Sequence, residues 1–147
     1  MNRKIIFLSV FFMLFAANVS AQAKKPRSII STSATLKGYN TKEQLDVLNK
    51  RELLDLYVER LKLIIYTLPN LGLANKPGVT LDDLGIPKSP ENDKALDTNI
   101  NNTDVFLNST VSFQNLMLPY VDKSDIIISI LFYEDVIKKM HTLKDAN

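Results

Sequence analysis

The side chains able to do chemistry are few and scattered. His141 is the only histidine and there is no cysteine. Zinc centres built on several His or Cys ligands, and Cys–His nucleophilic catalysis, are therefore excluded. Asp97, Asn99 and Asn101 begin like a calcium loop, with oxygen donors at alternate positions. The match then fails: Asn102 stands where the sharp turn requires glycine, and Asn108 where a bidentate glutamate belongs. Asp82 and Asp83 read as carboxylates favouring the positive end of a short helical turn. Four glycines in 147 residues supply no nucleophile elbow, no phosphate-cradling loop and no dinucleotide turn. Asn101-Asn102-Thr103 and Asn108-Ser109-Thr110 fit the glycosylation pattern, which matters only on a eukaryotic secretory route. No catalytic, cofactor-binding or metal-ligating residue emerges, and the expected mode of action is noncovalent.

One polar constellation stands apart. Thr103, Thr110 and Gln114 project into the middle of an otherwise apolar helical stripe, where an unpaired polar group costs roughly 1–3 kcal/mol. Either each threonine hydroxyl bonds back to its own preceding turn, or the three form a polar seam that fixes helix register or meets a small ligand.

The elements that position these groups are helical. Between Asn49 and Leu68, residues Leu54, Tyr57, Val58, Leu61, Ile64, Ile65 and Leu68 recur at i, i+3, i+4, i+7 and share one face. Asn49 and Glu52 form a capping box, and Pro69 ends the helix. Leu56 and Leu63 fall on the opposite side among Glu52, Glu59 and Arg60, a second apolar seam that something must cover. Thr41 to Gln44 is another capping box, opening a helix of barely two turns over 41–48 whose apolar edge is Leu45 and Leu48. Residues 69–89 form a long loop punctuated by Gly72, Pro77-Gly78, Gly85 and Pro87, with Thr80 and Asp83 able to cap one short turn.

Ser89 with Pro90 starts a third helix over 90–118. Its core stripe is Leu96, Ile100, Leu107, Val111 and Leu118, widened by Phe106, Phe113 and Met117. The last helix, over 123–143, buries Ile126, Ile130, Tyr133, Ile137 and Met140, while Glu134–Lys138 and Asp135–Lys139 are surface i, i+4 pairs. These pieces predict an all-α, up-down-up three-helix bundle (49–68, 90–118, 123–143) with the short helix beside it.

The chain opens with Arg3 and Lys4, an apolar run from Ile5 to Ala17 and small residues at Val19-Ser20-Ala21, the layout of a secretory signal peptide over 1–21. Cleavage falls after Ala21, with Ala23 the alternative. Export follows, to a periplasm or the medium, and the missing cysteines suit a bacterial setting without disulfides. Removing this segment leaves 16 basic against 16 acidic residues, so the formal charge of +2 gives no argument for nucleic-acid binding. Gln22 to Asn40 carries four of the positive charges and no acid, and reads as a flexible basic leader ahead of a single domain over 41–147.

Ile127, Ile128, Leu131 and Phe132 add apolar groups outside the stripe of the last helix. With Leu56 and Leu63 they form the expected partner surface, unless the short helix covers them. The leading expectation is a small exported helical protein that associates with another protein or with itself as a homodimer. The alternative is a carrier whose ligand sits near Thr103, Thr110 and Gln114.

Overall fold

A computed structural model describes residues 27–143; the expected signal peptide lies outside the described residues. Four α-helices are present among them: α1 (Lys42–Asp46), α2 (Lys50–Thr67), α3 (Pro90–Met117) and α4 (Lys123–Thr142). The all-α bundle is as the periodicity predicts. Both capping boxes form, Thr41 with Gln44 and Asn49 with Glu52, and Ser89 accepts from the Asn92 amide at the start of α3. The helices α2 and α3 end alike: Leu68-Pro69-Asn70 and Leu118-Pro119-Tyr120 each wind into one 3-10 turn, because proline has no N–H for the α-helical ladder.

The helix α2 is the centre of the molecule. It packs lengthwise on α4 and antiparallel to α3, whereas α3 and α4 barely touch each other. Two apolar clusters result. One joins Leu45 of α1, Leu53, Leu54 and Tyr57 of α2, Leu118, and Ile126, Ile127 and Ile130 of α4. The other joins Leu63, Ile137 and Met140 to Ile29, Ile30 and Ala34 from the N-terminal segment and Ala74 from the long loop. The segment expected to be a flexible leader therefore differs from that reading over residues 27–40. Its few apolar side chains, Ile29, Ile30 and Leu36, enter or adjoin the second cluster, and it lies as a strap over the α2–α4 seam. The Ile29 amide donates to Val79 O at 2.8 Å, and Arg27 pairs with Asp97 at 2.6 Å.

The buried face of α2 is only partly the expected stripe. Leu54 and Tyr57 are buried as expected, and Leu53, Arg60, Leu63 and Thr67 are buried beside them, while Val58, Leu61, Ile64 and Ile65 are only half-buried and Leu68 is exposed. Leu63 is the expected second seam, and Ile29, Ile30 and Ala34 share its cluster. The short helix covers its share too, since Leu45 is buried against Ile127 and Ile130. In the long loop, Thr80 and Asp83 bond reciprocally across the start of a 3-10 turn at Asp82–Leu84, whose N-cap is Leu81. Gly85 closes that turn at φ +68°, a conformation that side chains with a Cβ rarely adopt.

Candidate interaction surface

Arg60 and Glu134 fix the geometry on which the surface stands. Both are 1% exposed. The Arg60 Nη2 donates to Glu134 Oε1 at 2.9 Å, to Asn40 Oδ1 at 2.7 Å and to Gly38 O at 2.9 Å. Its Nε reaches the same Glu134 oxygen at 3.1 Å, and Nη1 donates to Glu59 at 2.7 Å. The second carboxylate oxygen, Oε2, accepts from the Asn40 amide at 2.9 Å. Every partner needed to hold a buried charge pair is thus supplied by α2, α4 and the strap. The expected surface pair Glu134–Lys138 is replaced: Glu134 turns inward, and the Lys138 ammonium sits over the Tyr39 ring at 4.7 Å. The periodicity of α4 could not separate an inward carboxylate from a solvated one, because its partner lies 74 residues away.

Tyr57 and Tyr133 join α2 to α4 again through hydroxyls 3.0 Å apart. Burial, then the bond to Tyr133, raises the Tyr57 phenol above its ordinary range. Tyr66 donates to Asp104 at 2.6 Å and ties α2 to α3. Burial first, and this carboxylate second, push its phenol up to about 12.

On this frame α3 is the anomaly. It has 28 residues, yet only Leu107 is fully buried. The stripe Leu96, Ile100, Val111 and Leu118 faces inward, half-buried or buried. Phe106, Phe113 and Met117, expected to widen that stripe, are instead exposed, the two phenylalanines at 59% and 57%. They fall outside because α4 never closes against α3, so the helix has only α2 to cover it along most of its length. Val105, Leu116 and Tyr120 are exposed as well. Ile64, Ile65 and Leu68 of the α2 end, with Pro69, Asn102, Thr103 and Phe106, line an apolar cleft of about 330 Å³ at the edge of this face.

The face is also uncharged. Charges crowd the first turns of α3 at Glu91, Asp93, Lys94 and Asp97, then stop: from Thr98 to Val121 the only one is Asp104, which Tyr66 occupies. The outer side of α2, by contrast, carries Arg51, Asp55 and Lys62, all exposed. A solvated helix face is normally charged, and charge depletion with aromatic and Met enrichment marks the centre of protein interfaces. The signal that identifies this face was present in the chain as that gap in charge, and helical periodicity does not register it.

The residues singled out from sequence are dispersed. Leu63 and Ile127 are core residues, Leu56 and Leu131 are half-buried beside them, and only Ile128 and Phe132 are exposed. The polar seam divides similarly. Thr103 Oγ1 donates to Asn99 O at 2.8 Å and Thr110 Oγ1 to Phe106 O at 2.9 Å, the back-bonding of helical threonines, and Gln114 is half-buried. Thr103 additionally lines a cleft of about 520 Å³ between the strap and the α2–α3 end, with Ser28, Thr32, Tyr66, Asn70 and Asn99; Thr110 and Gln114 are not on it. Asp97, Asn99 and Asn101 are helical. Among the described residues no group of three His, Asp or Glu side chains is placed to hold a metal ion, and no helix is long and apolar enough to cross a membrane. The chain matches no protein-family model, and no curated protein or solved structure matches it.

Proposed function

We propose that this protein, directed to export by its N-terminal sequence, acts by noncovalent association with another polypeptide through the outer face of α3. The observation that carries the reading is the exposure of Phe106, Phe113 and Leu116 on a helix face without charge. An exposed apolar patch that the fold itself leaves open marks an interaction site, and a rigid helix resting on α2 presents it already ordered. The test is a photoreactive phenylalanine analogue at Phe106, irradiated in the native exported fraction. A polypeptide adduct supports the reading; an adduct to lipid or none at all contradicts it.

A second reading, a small-ligand carrier, draws support from the 520 Å³ cleft at Thr103. Its volume falls in the range of ligand pockets, and its hydroxyls and amides, with the Asp97-paired Arg27 on its wall, suit a small polar molecule. Mass spectrometry of the natively purified protein would find a stoichiometric small molecule that Asn99→Leu removes; a protein purified without any would count against it.

A further inference from the structure

Among the exposed residues of α3, one line carries both phenylalanines. Asn102, Phe106, Ser109, Phe113 and Leu116 follow one another at intervals of four, three, four and three residues, the mean repeat of 3.5 that keeps a seam facing a second helix. All five are exposed. The positions flanking this seam are Val105 and Ser112 on one side and Thr103, Thr110 and Met117 on the other, none of them charged.

We infer that the polypeptide covering α3 is a second copy of this chain, its α3 lying antiparallel to the first about a two-fold axis level with Val111. The inference rests on the association reading above and names its partner. In a two-fold interface each residue meets the counterpart of its own contact. With the axis at Val111, Ser109 lies opposite Phe113 of the partner subunit, and Phe106 opposite Leu116 of the partner subunit. Every layer then sets a larger side chain against a smaller or differently shaped one, so the layers fill evenly. A parallel pair would instead stack phenylalanine on phenylalanine and serine on serine, alternating crowded layers with empty ones, and both faults destabilise a packed seam.

The missing charges favour a second copy over a different protein. Partner choice between unlike helices is set by charged residues flanking the seam, and α3 has none there. In a symmetric pair a charge on the axis faces its own copy, and a seam without charge avoids that repulsion.

Because the chain contains no cysteine, single cysteines read the register cleanly. Ser109→Cys and Phe113→Cys proteins, mixed under mild oxidation, should give a mixed disulfide well before Ser109→Cys alone gives any, since bridging needs Cα atoms within about 7 Å. Phe113→Lys should weaken the association of the chain without residues 1–21 by roughly a hundredfold in Kd with its helical circular dichroism unchanged. Faster bridging by Ser109→Cys alone would overturn the antiparallel register, and absence of any disulfide would overturn the dimer. If the purified chain is monomeric while Phe106 still cross-links a different polypeptide in the native fraction, the second copy is wrong and the association reading stands; no polypeptide adduct removes both.

Discussion

Arg60 of α2 and Glu134 of α4 meet at 2.9 Å with both side chains sealed from solvent, and the strap closes over them through Gly38 and Asn40. The pair orders three chain segments at one point. Its contribution to net stability is smaller than its bond list suggests, because desolvation of both ions offsets most of their attraction. Removing one member is another matter, since the survivor stays buried and unpaired.

Glu134→Ala should therefore lower the unfolding free energy by about 3–5 kcal/mol, and the Asn40 amide, which Glu134 accepts, should lose hydrogen-exchange protection. The double change Arg60→Met with Glu134→Leu should recover much of the loss. Urea denaturation checks both; a double variant as unstable as the single one would mean that the pair contributes through more than charge satisfaction.

Ile30 is the deepest residue of the strap, fully buried among Leu63, Ile137 and Met140. Ile30→Ala should cost about 2–5 kcal/mol and Ile30→Val about 0.5–1.5 kcal/mol, measured by chemical unfolding. Effects near zero would return residues 27–40 to the loose leader that their composition suggests.

Thr67 presents the opposite case. Its hydroxyl is buried and has no hydrogen-bond partner among the described residues, so it carries a desolvation cost without return. Thr67→Val keeps the shape and removes that cost, and should leave the protein unchanged or up to about 1 kcal/mol more stable. A clear loss in thermal unfolding would show that the hydroxyl is satisfied after all.

Tyr66 sets a pH limit. Its folded-state value of about 12 lies above the ordinary 10, so the folded state holds the proton that the unfolded state releases in that window. The contribution is complete below pH 10 and declines as pH rises through about 12. Tyrosinate absorbance should show one transition near pH 12 that Tyr66→Phe abolishes, and stability at high pH should fall less in that variant.

The helices, their caps and their order were legible in the sequence because each depends on local spacing: Asn49 with Glu52, Ser89 with Pro90, Pro69 and Pro119 at the ends. What was not legible depends on pairs far apart in the chain. Glu134 read as half of a surface pair because nothing near it announces Arg60, and Ile29 and Ile30 read as tail because two adjacent isoleucines set no period. Phe106 and Phe113 were assigned inward on hydrophobicity alone. Whether α4 closes against α3 decides their exposure, and no local pattern encodes that.

If the uncharged face of α3 is a self-complementary docking surface, the protein dimerises through it. Sedimentation equilibrium of the chain without residues 1–21, run beside its Phe113→Lys variant, is the decisive measurement. The expected result is a reversible dimer that the substitution converts to a folded monomer. A chain that stays monomeric at the highest attainable concentration, or a dimer indifferent to Phe113→Lys, would contradict it.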